Sequence, residues 1–129
     1  DTKLKSNFSY IEYNTAIKSY NIDNLNKKNK TKIKNYLTRV DKLYKESLKI
    51  NSTPIFITSV TSAGHAEVIF MLNYSLIEHC KLKNYLCIDV AKDLSGELKF
   101  WKDRTHTSKD GSKAIADLIY KDLTKYIKK

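Results

Sequence analysis

Two short apolar runs separated by a long helical segment constrain the fold of this chain more than any other feature. Residues 55–60 read Ile-Phe-Ile-Thr-Ser-Val, and residues 85–90 read Tyr-Leu-Cys-Ile-Asp-Val. Short continuous runs of this kind are typical of strands that are buried on both faces. The segment from His65 to about Leu82 is apolar on nearly all sides, which predicts a largely buried helix. A strand, a helix and a second strand predict a parallel pair joined by a right-handed crossover.

Two amphipathic helices are predicted on either side of this unit. Across residues 32–50 the apolar positions recur every three or four residues, and Pro54 follows, which ends a helix. The last helix is expected to begin at Thr107, in a capping box with Asp110. Residues 32–129 are therefore predicted to fold as α-β-α-β-α, an α/β fold with helices flanking a parallel sheet. Because buried strands need neighbours on both sides, we expect this to be part of a larger sheet.

The length of the chain corresponds to one domain. It has 129 residues, of which 1–31 are polar and are predicted to form an irregular lead-in, with a short helix near Tyr13–Tyr20. The chain starts at Asp1 with neither a methionine nor an apolar leader, so we expect a processed, trimmed or excised product. No apolar run approaches the length of a transmembrane helix, so no transmembrane segment is expected.

The charge balance is strongly basic, with a formal net charge of +10. All the basic residues except Arg39 and Arg104 are lysine, whereas nucleic-acid readers use Arg for bidentate contacts. We interpret the lysine excess as a compositional trait and do not expect nucleic acid as a partner. The alternative hypothesis is a non-catalytic basic α/β module that binds acidic partners such as nucleic acid or an anionic polysaccharide. Cys80 and Cys87 have no zinc-site spacing, and we interpret them as two buried thiols, with a disulfide between them as the alternative.

One pair of residues carries recognisable chemistry. Asp103 and His106 are three residues apart, in a loop that follows the second predicted strand. In α/β folds the active site lies beyond the carboxyl ends of the strands. A carboxylate at this spacing can accept the Nδ1–H of the imidazole, which leaves Nε2 to act as a base towards a serine hydroxyl. The spacing alone is a weak signal, because an ordinary surface loop often contains it by chance.

Two neighbouring residues are candidates for substrate binding. Trp101 immediately precedes the loop, and we expect it to pack beneath the loop or to contact substrate. His65 lies where the first predicted strand leads into its helix, at the same edge of the sheet. It is interpreted either as a polar residue at the helix start or as a pocket residue. No metal site is predicted.

The sequence around Asp103 resembles a known family. Residues 103–111 read Asp-Arg-Thr-His-Thr-Ser-Lys-Asp-Gly, and a helix with the segment Ala114-Ile115-Ala116 follows. This stretch resembles the last block of the SGNH (GDSL-type) hydrolases, in which Asp-x-x-His precedes a Ser/Thr-rich cap, a glycine and an amphipathic helix. The resemblance is most specific over residues 100–120.

Weaker likenesses extend the resemblance to residues 32–127. Residues 87–94 look like the strand end that precedes the last block of the family, and residues 54–59 look like the strand before it. The resemblance implies a three-layer α/β/α fold of the flavodoxin-like SGNH type. It also implies a serine esterase or acyl hydrolase that needs no cofactor and acts on a small ester or on an acylated carbohydrate or lipid.

The chain lacks the sequence blocks that carry the nucleophile and the oxyanion hole in this family. The family's nucleophile lies in a Gly-Asp-Ser block, and its oxyanion hole uses a Gly and an Asn from two further blocks; no glycine precedes Gly64 here. The resemblance therefore implies the C-terminal portion of such an enzyme, with His106 as general base and Asp103 as the residue that orients it. The serine, the oxyanion donors and the remaining strands are expected from the missing N-terminal half or another chain. By itself, this chain is expected to be inactive.

Overall fold

A computed structural model describes residues 20–62, 67–103 and 106–127 of the chain, together with Thr15. In these ranges the protein is mostly helical and contains a small parallel sheet. Its elements are α1 (Ile22–Lys28), α2 (Lys30–Lys49), β1 (Ile55–Ile57), α3 (Glu67–Lys83), β2 (Leu86–Ile88), α4 (Val90–Leu94), a 3₁₀ helix (Leu98–Phe100) and α5 (Lys109–Ile127). None of the described helices is both long enough and apolar enough to cross a bilayer.

The two strands lie side by side and run in the same direction, which confirms the predicted parallel pair and a mixed α/β fold. Phe56 is opposite Cys87 in the register, and Ile57 is opposite Ile88. Both strands are shorter than predicted, because the polar residues at their carboxyl ends form other hydrogen bonds. The clearest case is Asp89, which directly follows β2 and caps α4 by accepting the N–H of Lys92.

Helices pack against each face of the sheet. Phe56 and Cys87 point to one face, where they pack with residues of α2 and α3, namely Tyr36, Val40, Leu76 and Cys80. Ile55 and Ile88 point to the other face, where they pack with residues of α5, namely Ala114, Ile115, Leu118 and Ile119. The coverage is uneven, because Ile88 is 1% exposed whereas Ile57 beside it is 42% exposed. Burial on both faces was thus predicted correctly for Ile88 and not for Ile57.

The lead-in is more ordered than predicted. Residues 22–28, which fall in the segment 1–31 expected to be irregular, form α1. Asn21 caps this helix, since its Oδ1 accepts the N–H of Asn24 at 2.9 Å. Lys30 then begins α2 two residues before the predicted start at Lys32. The short helix expected near residues 13–20 falls almost entirely outside the described residues.

The cap of α5 also differs from the prediction. Ser108 rather than Thr107 occupies the capping position, and its Oγ accepts the N–H of Gly111 at 3.1 Å. Thr107 is instead in an antiparallel bridge with Trp101, and its hydroxyl pairs with Ser112 Oγ at 2.7 Å. The bridge holds Thr107 in extended backbone, so the helix begins one residue later than the sequence pattern indicates.

The two cysteines form a disulfide, so their interpretation as separate thiols was wrong. Cys80 in the last turn of α3 is bonded to Cys87 in β2, with 6.3 Å between their Cα atoms. The connecting turn places Asn84 in the left-handed region, with a φ of 57°, and the N–H of Tyr85 donates to the carbonyl of Cys80 at 2.9 Å. This tight reversal brings the two sulfurs together, which their spacing in sequence does not reveal.

Candidate functional site

The loop that carries Asp103 and His106 is closed by main-chain hydrogen bonds. It begins and ends at the bridge between Trp101 and Thr107. The N–H of Lys102 donates to the carbonyl of His106 at 2.9 Å, and the N–H of Asp103 approaches the same carbonyl at 3.4 Å. The short hairpin that results fixes the positions from which both side chains project.

The base of this hairpin is held against the first turn of α5. The N–H of Ser108 donates to the carbonyl of Phe100 at 2.8 Å, and its hydroxyl donates to the carbonyl of Lys99 at 3.1 Å. Gly111 packs so closely here that a Cβ on it would lie 2.1 Å from the carbonyl oxygen of Phe100. A glycine is therefore required for this contact.

Asp103 holds both the ring and the main chain of His106. The Nδ1 atom of His106 lies 2.8 Å from Oδ2 and 3.0 Å from Oδ1 of Asp103, and its backbone N–H donates to Oδ1 at 2.8 Å. With Nδ1–H donated to the carboxylate, Nε2 is the ring nitrogen that can accept a proton. The two side chains are 75% and 51% exposed, so their pairing adds little to stability. The arrangement is suited to orienting an imidazole at the protein surface.

The structure describes one of the two candidate substrate-binding residues, Trp101, and does not describe the other, His65. Trp101 is 7% exposed at the base of the hairpin, so it packs beneath the loop, and its contact with substrate stays a prediction. Its indole Nε1 is buried and has no hydrogen-bond partner among the described residues. His65 lies outside the described residues, so its role stays a prediction.

A network of polar groups joins the carboxyl ends of the two strands. The hydroxyl of Thr58 donates to Oδ1 of Asp89 at 2.9 Å and accepts the N–H of Ala91 at 2.9 Å. Burial raises the pKa of the Asp89 carboxyl, and the hydrogen bonds from Thr58 and from the Lys92 N–H oppose this effect in part. The carboxylate is thus committed to the helix cap, and we assign it a structural role.

Asn73 is a residue that the sequence reasoning missed. It is 3% exposed within α3, and its side-chain amide makes two bonds to the main chain of Ser59, beyond the end of β1. Its Nδ2 donates to the carbonyl of Ser59 and its Oδ1 accepts the Ser59 N–H, both at 2.8 Å. The signal in the sequence is an amide in the largely apolar first half of this helix.

A second Asp–His pair lies between α2 and α3 and was also missed. His79 Nε2 lies 2.7 Å from Oδ1 of Asp41, and the hydroxyl of Tyr85 donates to the same oxygen at 3.0 Å. Burial alone would raise the pKa of Asp41. The hydrogen bonds from His79 and Tyr85 and the positive charges of His79 and Lys83 outweigh it and lower the pKa. The pair connects two helices and is only slightly exposed on the histidine side, unlike the pair on the hairpin.

Comparisons with known proteins assign neither a family nor a function to this chain. No family model, no curated protein and no solved structure matches the chain.

Within residues 20–62, 67–103 and 106–127, no three side chains of the metal-ligating types come together.

Proposed function

We propose that this chain supplies the general base and its orienting carboxylate to a serine acyl hydrolase of the SGNH type. The observation that carries the proposal is the contact of Asp103 with His106, 2.8 Å from carboxylate oxygen to Nδ1, on a hairpin between β2 and α5. The parallel pair of strands is then the C-terminal part of a larger flavodoxin-like sheet.

In this reaction the two side chains have different tasks. His106 takes the proton of the attacking serine through Nε2 and later returns it to the leaving group. A water molecule then hydrolyses the acyl-enzyme, with the same nitrogen as base. Asp103 does not transfer a proton; it keeps Nδ1 protonated and stabilises the imidazolium that forms.

The nucleophile is proposed to come from outside this chain. Ser108, two residues beyond His106, has its hydroxyl committed to Lys99 and Gly111 as a helix cap. Ser62 is 3% exposed, and Ser59 is not flanked by the glycines that a strained nucleophile turn uses. The serine and the oxyanion donors are therefore assigned to preceding sequence or to a partner chain.

The activity test compares the chain alone with a protein that includes its preceding sequence, on p-nitrophenyl acetate. The chain alone is expected to match buffer, since nucleophile and oxyanion donors together supply most of the rate. In the larger protein, His106→Ala is expected to lower kcat by about 10⁴-fold, and Asp103→Asn by less. Turnover by the chain alone that a serine-directed inhibitor abolishes would place the nucleophile in this chain and overturn the proposal.

His79 provides a matched control, because it too is paired with an aspartate. His79→Ala is expected to leave kcat within a few-fold of the unaltered enzyme and to lower stability, since it removes the partner of Asp41. His106→Ala is expected to leave stability unchanged, because its side chain is exposed. If His79→Ala abolished turnover and His106→Ala did not, the assignment of the base would be wrong.

A further inference from the structure

A groove of about 640 Å³ lies between α1, α2 and α3, away from the hairpin of Asp103 and His106. Its volume is within the range of small-molecule sites in proteins. Ile33 and Leu37 of α2, with Tyr74 and Leu82 of α3, make up the apolar wall of the groove. Ser75, Glu78 and His79 also line it on the α3 side. Leu82 is 80% exposed, so its side chain is accessible to a ligand in the groove.

Two lysines line the same groove. Lys30 and Lys34 are one turn apart on α2, so their ammonium groups project on the same side as the apolar wall. Neither has an acidic partner in the part of the chain that the structure describes. The acidic residue at the groove, Glu78, is already paired with Lys81 at 2.6 Å. His79, at the end of the groove, is paired with Asp41.

We propose that this groove binds an amphipathic carboxylate, a fatty-acid anion whose chain lies along the apolar wall. Tyr74 and Leu82 are eight residues apart, about 12 Å along α3, which matches the length of an extended medium-length acyl chain. The two ammonium groups, which have no acidic partner among the described residues, complement a single carboxylate by charge-assisted hydrogen bonds. The proposal does not rest on the hydrolase function, because none of these residues belongs to the hairpin.

The test is calorimetric titration of the 129-residue chain with sodium dodecanoate below its micelle concentration. Saturable binding of one molecule per chain is expected. The double variant Lys30→Gln/Lys34→Gln is expected to weaken binding about tenfold, the equivalent of one charge-assisted hydrogen bond. The matched control is Lys42→Gln/Lys45→Gln, which removes the same charge from exposed positions of α2 outside the groove, and its affinity is expected to stay within about twofold.

A second pair of variants tests the apolar wall without risk to the fold. Leu82→Ser is expected to weaken binding several-fold, whereas Ile50→Ser, at an apolar position that is 74% exposed elsewhere, is expected to have no effect. Dodecyltrimethylammonium, with the same chain and the opposite charge, is expected to bind more weakly than dodecanoate. Absence of saturable binding would overturn the proposal. Equal loss in both lysine variants, or equal binding of the cationic amphiphile, would also overturn it.

Discussion

At the scale of single residues, the hairpin of Asp103 and His106 depends on a glycine that takes no part in the chemistry. Gly111 is in the first turn of α5, where glycine ordinarily weakens a helix by about 1 kcal/mol relative to alanine. Here the absence of a Cβ lets the helix approach the carbonyl of Phe100. The sequence shows the glycine, and only the packing shows why it is required.

Gly111→Ala is therefore expected to destabilise the protein by about 1–3 kcal/mol, because the new methyl group overlaps a main-chain oxygen that cannot move freely. Urea denaturation measures the change. Lys109→Ala, at an exposed position of the same turn, is the control and is expected to stay within about 0.5 kcal/mol. A gain in stability for Gly111→Ala would show that α5 does not pack against Phe100 as described.

Two variants of Asp89 distinguish the effect of its charge on stability from the effect of its role as a helix cap. Asp89→Asn keeps an oxygen that can accept from Thr58 and from the Lys92 N–H, and it removes a carboxylate whose pKa burial raises. At pH 7 this variant is expected to be at least as stable as the unaltered protein. Asp89→Ala is expected to lose about 1 kcal/mol or more, since the cap is gone.

The pH dependence follows from the direction of this shift. An aspartate whose folded pKa is above the unfolded value, about 3.9, contributes stability at low pH that is lost as the pH rises through the folded pKa. The urea denaturation midpoint of Asp89→Asn, relative to that of the unaltered protein, should therefore increase as the pH rises from 4 to 7. Equal losses for the Asn and Ala variants at pH 7 would contradict this account.

At the scale of elements, the packing of α2 on α3 includes the partly buried contact between Asp41 and His79. Tyr85 donates to the same carboxylate and stacks on Tyr44 with ring centroids 3.9 Å apart, so the contact extends to the start of β2. The sequence pattern predicted both helices from their apolar positions. It could not indicate which polar residues would meet between them, because that depends on the crossing geometry of the pair.

Asp41→Asn is expected to lower stability at pH 7 by about 1–2 kcal/mol, through loss of hydrogen bonds to a charged acceptor. Because the pKa of Asp41 is lowered, its contribution is present above the unfolded pKa of about 3.9 and is lost as the pH falls through the folded value. The urea denaturation midpoints of Asp41→Asn and of the unaltered protein should therefore approach each other as the pH is lowered. Glu46→Gln, which breaks an exposed pair with Lys49 on the same helix, should change little at any pH.

At the scale of the whole molecule, the sheet is covered unequally. Ile88 of β2 is enclosed by α4 and α5, whereas Ile57 of β1 is 42% exposed although it is its neighbour in the register. In the described ranges β1 pairs with β2 on one side. In the larger α/β fold proposed above, a further element would have to pack on this face to bury Ile57.

The asymmetry gives a test of the proposed larger fold. Ile88→Asn is expected to destabilise the chain by about 3 kcal/mol or more, because it buries an amide without partners. Ile57→Asn is expected to change the stability of the chain by less than about 1 kcal/mol, since its side chain reaches water. In a protein that includes the preceding sequence, Ile57→Asn should become markedly more destabilising. If it does not, no further element packs over that position.

The sequence by itself indicated the order of the main elements and the parallel direction of the strands, and its spacing allowed a contact between Asp103 and His106. The order follows from the pattern of each single segment, the parallel direction from the helix that joins the two strands, and the possible contact from a separation of three residues. Tertiary structure decided the disulfide of Cys80 with Cys87, the amide bridge from Asn73 and the exposure of Ile57. Those features depend on where distant backbones lie relative to one another, and the pattern of a single segment does not encode that position.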